Sequence, residues 1–313
     1  MEVKSLGYFL AMYEKFTIAE NKSPRTIEAV RDATKKFEEF LGGCANLNDL
    51  QPEDLRRYIR YLQQRPKWSG HPTIKGTHGN VSPAAIASYV RSIRSLFSWM
   101  AKEKFISQNP FAEVKPPKVP AKVINPLTPD EVSRLLKAIS HRDYGSRRDS
   151  SMVIALYGTA QRLSELLGLK LSDIDFDSGQ IKVTGKGSKE RHLYMSSRVF
   201  KALFKYRSQW RPEVSSDYFF VHLDGSRLSR YYFEHRMQDY VRRAGLTTRC
   251  TPHSLRYASA VQLIRNGCDP LTLQKILGHS TLDMTRHYVR LANTDVEKKM
   301  KAFSPAEQLD LKF

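Results

Sequence analysis

The stretch Ile174–Met195, IDFDSGQIKVTGKGSKERHLYM, decides the fold class, because the periodicity of the chain changes there. Two short alternating runs, Ile181-Lys182-Val183 and His192-Leu193-Tyr194, are separated by Gly185–Arg191 and preceded by the turn Asp177-Ser178-Gly179. Alternation broken by glycine clusters is the pattern of a small antiparallel sheet of two or three strands. On both sides of it the spacing is helical. The predicted fold is therefore mainly α with one small antiparallel β-sheet.

Upstream, Thr128-Pro129-Asp130-Glu131 forms a capping box, with Thr at the N-cap and Glu three residues on. Val132, Leu135, Leu136 and Ile139 then supply a buried helical face, and another helix is expected over roughly Ser150–Tyr157. Before them, Lys115–Pro126 (KPPKVPAKVINP) holds four prolines and three lysines without apolar periodicity. It reads as an extended, semi-rigid, basic linker. This divides the chain into a helical domain, 1–116, a linker, 117–126, and a second domain, 127–313.

The first domain reads as helices only. Ser23-Pro24 is an N-cap with proline at the first helical position, and Gly42-Gly43 stops the helix it opens. Pro52 starts a second helix with Leu55, Tyr58, Ile59 and Leu62 on one face. Ser82-Pro83 starts a third, whose stripe Ile86, Tyr89, Val90, Ile93, Leu96, Phe97 and Met100 is core while Arg91, Arg94 and Ser95 take the other side. The histidines of the loop Pro66–Asn80 are too irregularly spaced to argue for metal.

Charge narrows the function class. The 313 residues carry 51 Lys+Arg against 32 Asp+Glu, a net +19 with a pI near 9.8. Divided near residue 120, both parts remain positive, so both are expected to face a polyanion, by default nucleic acid. No apolar run approaches the roughly 20 residues of a membrane span. Met1–Tyr13 carries Glu2 and Lys4 with no small-residue cleavage site, so no signal peptide is expected. Cys44, Cys250 and Cys268 give neither a disulfide framework nor a metal pair, which fits a reducing cytoplasm.

Four stretches of the second domain carry candidate chemistry. In Gly158–Leu169, GTAQRLSELLGL, Arg162 follows a helix end with Glu165 three residues on. In Val183–His192, Lys186 occupies a glycine-flanked hairpin tip. In Thr251–Ala260, TPHSLRYASA, His253 and Arg256 share a helix face. In Leu273–Leu291, LQKILGHSTLDMTRHYVRL, Gly278 ends a helix, His279 follows, and Tyr288 lies nine residues further. Each alone has a bland reading as an ion pair, a solvated turn lysine or a packed tyrosine. Their conjunction and order carry the weight.

That ordered set resembles the tyrosine recombinases of the phage integrase family, and the compact Xer-like members in particular, since no arm-binding domain is expected before the first helix. The resemblance covers nearly the whole chain. It implies a SAM-like four-helix core-binding domain that clamps DNA and an α+β catalytic domain. It further implies Arg162, Lys186, His253, Arg256, His279 and Tyr288 as the catalytic set, with Tyr288 the nucleophile, and no cofactor or metal. Double-stranded DNA with a specific recombination site is the implied partner. A homotetramer on two duplexes, with room for accessory proteins, is the implied assembly. Gln161, Tyr257 and His192-Leu193 depart from the usual family pattern, and the segment Pro66–Asn80 is longer than in minimal members. The tail, with a short helix expected over Asp295–Phe303 and an apolar finish at Leu309, Leu311 and Phe313, is expected to dock on a neighbouring protomer.

The residue types suit the chemistry. Transfer through a pentacoordinate phosphorus concentrates charge on the non-bridging oxygens, and two permanently charged guanidiniums can bond them bidentately. A phenol of pKa ~10 is ionised to roughly one part in a thousand at pH 7, so it needs cationic neighbours or a base, and His253 and His279 can supply both. The leaving 5′-oxygen needs a proton, for which Lys186 is the candidate acid. Competing readings are a type IB topoisomerase-like enzyme, a non-catalytic DNA-binding regulator and, least favoured, a metal nuclease.

Overall fold

The structure is a computed structural model and describes residues 5–43, 47–66, 79–120, 125–185, 189–291 and 304. The chain divides into two compact units, Met1–Val123 and Ile124–Phe313.

The first unit is built from α1 (Leu6–Ala19), α2 (Pro24–Phe40), α3 (Pro52–Gln64) and α4 (Pro83–Lys102). Local chemistry starts three of them as the sequence predicts. The Ser23 and Ser82 hydroxyls accept from the Thr26 and Ala85 backbone N–H groups, and the Gln51 N–H donates to Asp54. α1 is capped by the Ser5 hydroxyl, which accepts from the Tyr8 backbone N–H. Its face Leu6, Phe9, Leu10 and Tyr13 packs with Phe37, Tyr58, Leu62, Val90, Phe97 and Phe111 in one core.

The second unit contains α5 (Pro129–Ala138), α6 (Tyr144–Thr159) and α7 (Leu163–Gly168). The strands β1 (Ile174–Asp175), β2 (Gln180–Thr184) and β3 (Glu190–Tyr194) follow, then α8 (Ser197–Lys205), α9 (Arg230–Arg243), α10 (Pro252–Arg265), α11 (Pro270–Leu277) and α12 (Asp283–Leu291). The sheet is antiparallel in the order β1-β2-β3, with Ile181 opposite Leu193 and Val183 opposite Arg191. Its inward residues Ile181, Val183 and Leu193 join the main core of the unit. The expected mainly α fold with one small antiparallel sheet is what the chain adopts.

α6 begins at Tyr144, not near Ser150 as predicted from sequence. The reason is chemical. Its first two turns bury Arg148 and Asp149, which no apolar pattern announces. The Arg148 guanidinium donates to Asp149 Oδ1 at 2.9 and 3.0 Å and to the Val221 carbonyl at 3.0 Å. Asp149 also accepts from Arg236 and, at 2.8 Å, from the Tyr240 hydroxyl of α9, so the buried charges are paired. At its other end α6 runs against α8 so closely that a Cβ on Gly158 would stand 2.3 Å from Val199 Cγ2. Among the described residues no helix is long and apolar enough to cross a membrane.

Candidate active site

The site is assembled where α6 ends. Ala160 closes that helix in the left-handed region, φ 52°, a conformation that costs a residue with a Cβ about 1–2 kcal/mol. The fold holds it there through α10: Arg256, buried at 3% exposure, donates from Nη1 to the Ala160 carbonyl at 2.6 Å. From Nη2 the same guanidinium donates to the Leu277 carbonyl at 2.7 Å, at the end of α11. Arg256 thus ties two helix ends to α10 and faces the groups that follow them.

Two residues beyond Ala160, Arg162 caps α7. Its Nη1 donates to Glu165 Oε1 at 2.8 Å and its backbone N–H to Glu165 Oε2 at 2.8 Å. Glu165, 3% exposed, receives a second fork from Arg191 of β3, at 3.1 and 2.8 Å. Burial alone would raise the Glu165 carboxyl, but these guanidinium and amide donors outweigh it and hold it below the ordinary range. Arg162 remains 38% exposed. Held by Glu165 through Nη1 yet partly exposed, its guanidinium can bind an anionic ligand.

After α11, Gly278 takes φ +61° and turns the chain so that His279 lies beside Arg256, with Nε2 3.4 Å from Arg256 Nη2. A guanidinium only donates, so Nε2 is the acceptor there and Nδ1 carries the proton, which it donates to Thr285 Oγ1 at 3.1 Å. Burial, then the charges of Arg256, Arg162 and Arg191, push the His279 pKa down to about 4. His253, one turn ahead of Arg256 on α10, is lowered by desolvation and by Arg256, Arg162, Arg230 and Arg249. Both imidazoles are therefore neutral at pH 7, and among the described residues the cationic part of the site belongs to the arginines. Arg256 is itself pushed down to about 10, by burial first and Arg162 second, and stays charged.

Tyr288 sits on α12, 7% exposed, with its ring 5.3 Å from Tyr257 and 6.0 Å from His279, the latter nearly parallel at 22°. Desolvation raises its pKa, while Arg256 and Arg162 act against the rise. The structure thus brings Arg162, Arg256, His279 and Tyr288 into one electrostatic neighbourhood, with His253 on the same helix as Arg256. Lys186 lies outside the described residues. The hairpin arms that carry it are in place, closed by Gly185 N–H donating to the Lys189 carbonyl at 2.8 Å.

Two residues of this network were not singled out as functional from sequence. Its spacing marks Glu165 only as an ion-pair partner of Arg162. Arg191 was missed, although the alternation through Leu193 places it on the inward face of β3. Gln161, the departure next to Arg162, is fully buried.

Comparison with known proteins gives the family of the chain. Residues 125–295 match the phage integrase family, and residues 8–116 match the phage integrase SAM-like domain. Tyrosine recombinase XerC of Myxococcus xanthus is 32% identical over 277 residues, which cover 82% of this chain and 92% of that protein. Tyrosine recombinase XerC of Anoxybacillus flavithermus is 29% identical over 298 residues, covering 92% and 95%. The fold is shared with the Tn1549 transposon integrase solved with transposon right end DNA, at a TM-score of 0.76 and 20% identity, covering 96% of this chain and 100% of that one. The chain belongs to the phage integrase family, among its tyrosine recombinases of Xer type.

Proposed function

We propose that this site-specific DNA recombinase cuts each strand by attack of the Tyr288 phenol oxygen on the scissile phosphorus. The Tyr288 Oη–P bond forms as the P–O5′ bond breaks, leaving a 3′-phosphotyrosyl link and a free 5′-hydroxyl. The phenolic proton passes to His253, whose depressed pKa keeps it unprotonated at pH 7. Lys186 protonates the departing 5′-oxygen. Arg162 and Arg256 take the non-bridging oxygens, and His279 steadies Arg256. Attack by a 5′-hydroxyl of the partner strand reverses the step, so the energy of the broken bond is kept and no ATP is consumed.

The convergence of two guanidiniums, held by Glu165 and by two backbone carbonyls, beside a buried tyrosine supports this reading. Such preorganised donors stabilise charge that develops on phosphate without reorganising at the moment of reaction. At 7% exposure the phenol must come out of its packing against Tyr257 and His279 once phosphate arrives. In the first unit, a groove lined by Ser23, Arg25, Thr26, Ser88, Arg91 and Ser92, between α2 and α4, offers hydroxyl and guanidinium donors for a DNA backbone.

The working assembly is a homotetramer on two duplexes, closed by residues after 290, whose apolar finish at Leu309, Leu311 and Phe313 calls for a partner surface. These residues, including the expected helix over 295–303, lie outside the described residues apart from Leu291 and Ser304. Plasmids carrying two copies of a site from DNA flanking the gene should yield recombinant circles, and a site-free plasmid should stay supercoiled. Relaxation of both at equal rates would make the enzyme a topoisomerase instead. Truncation after residue 290 should leave DNA binding intact and abolish DNA-bound tetramers; tetramers that persist would remove the tail from the assembly.

A further inference from the structure

The β2–β3 hairpin bears on the active site through one side chain that has no assigned role. Arg191 is 14% exposed and uses three donors at once. Nη1 and Nη2 bind the two oxygens of Glu165, and Nε donates to the Ile276 carbonyl of α11 at 3.0 Å. Glu165 is the anchor of Arg162, and Ile276 lies three residues before His279.

The root of the hairpin tip meets the same pair. A Cβ on Gly185, the residue before Lys186, would stand 3.5 Å from Glu165 Oε1 and 3.7 Å from Arg191 Nη1. On the α11 side, a Cβ on Gly278 would stand 3.1 Å from Arg191 Nη1 and 3.2 Å from its Cζ. The guanidinium is therefore wedged between the turn that delivers His279 and the base of the turn that carries Lys186.

The geometry points to Arg191 as a positioning residue that couples the hairpin carrying Lys186 to the Arg162 and His279 side of the active site. It rests on the reading given above, in which Lys186 protonates the leaving oxygen. Arg191 itself touches no reacting atom. Its planar fork sets where the hairpin leaves the body of the unit, and a lysine, with one compact charge, cannot reach both Glu165 oxygens and the Ile276 carbonyl together. Charge alone is then insufficient at this position.

The test is single-turnover formation of the covalent adduct on a nicked duplex at saturating enzyme. Wild type, Arg191→Lys, Arg191→Met and Lys186→Ala are compared on an ordinary phosphate and on a 5′-bridging phosphorothioate, whose thiolate leaves without a proton. Arg191→Lys retains the charge, so it remains informative should Arg191→Met melt below the assay temperature. On phosphate, both Arg191 variants are expected to lose about 10–100-fold in rate while the DNA Kd moves less than about threefold. On the phosphorothioate the loss should shrink to less than about fivefold, as for Lys186→Ala.

Rates near wild type on phosphate, or an equal loss on both substrates, would overturn the coupling and leave Arg191 a scaffold residue. Full activity of Arg191→Lys would show that charge, not the fork, is what matters, and would overturn it too. A wild-type enzyme that makes no adduct, or a Lys186→Ala variant that the phosphorothioate does not rescue, would instead defeat the underlying reading of the site.

Discussion

Replacing Glu165 by Gln removes the only described carboxylate that Arg162 and Arg191 share, while keeping the size of the side chain. The two ion pairs are worth different amounts. Arg162 is 38% exposed, so its pair is screened and contributes at most about 1 kcal/mol. The bidentate pair with Arg191, at 14% and 3% exposure, belongs to the partly buried class, where loss of one partner costs about 3–5 kcal/mol. Gln retains one acceptor oxygen for the fork, which halves that figure. The expected destabilisation is about 2–3 kcal/mol, or roughly 5–10 °C in Tm for a unit of this size.

The sign with pH follows from the lowered Glu165 pKa. Its contribution is present above the unfolded carboxyl value and is lost as pH falls through the folded one. The Tm difference between wild type and Glu165→Gln should therefore narrow as pH is lowered from 7 towards 3. Calorimetry or fluorescence melting reads both effects. A variant melting within about 1 °C of wild type at pH 7, or a difference that widens in acid, would refute the reasoning.

Three further outcomes are expected. Arg162→Ala and Arg256→Ala should each slow cleavage by at least about 10²-fold at saturating DNA, and rates within a few-fold of wild type would remove them from the site. Gly158→Ala should cost about 1–3 kcal/mol by collision with Val199, and Val199→Ala should recover much of it; strict additivity in the double mutant would contradict the contact. His279, with its pKa pushed down to about 4, stays largely unprotonated in the folded state above that pH, while the unfolded chain binds a proton below about pH 6.5. Wild-type stability should therefore fall between pH 6.5 and 4 more than that of His279→Gln, by roughly 2 kcal/mol at pH 5; parallel curves would refute the shift.

Much of the fold was legible because its signals are local. The change of period at Ile174–Met195 marks the sheet, and the cap at Thr128 opens α5, with Glu131 donating no proton but accepting the Thr128 N–H at 2.8 Å. What escaped was long-range. The start of α6 is set by a buried Arg148–Asp149 pair whose partners, Val221, Arg236 and Tyr240, lie 72 or more positions away in the chain, so no window of sequence contains it. Arg191 was hidden for the same reason. Its neighbours Glu165 and Ile276 become neighbours only when the hairpin packs between α7 and α11. The ordered motifs pointed to the candidate residues, but the neutral state of His253 and His279 depends first on burial and then on arginines from several segments, and spacing carries neither.

The central claim is that Tyr288 becomes covalently joined to DNA. A nicked suicide duplex bearing a candidate site, incubated without added metal and run on a denaturing gel, should give a shifted protein–DNA band with wild type. Peptide mapping of that band should place the nucleotide on Tyr288, and Tyr288→Phe should bind the duplex yet give no band. A band retained by Tyr288→Phe, or a nucleotide mapped to any other residue, would contradict the account.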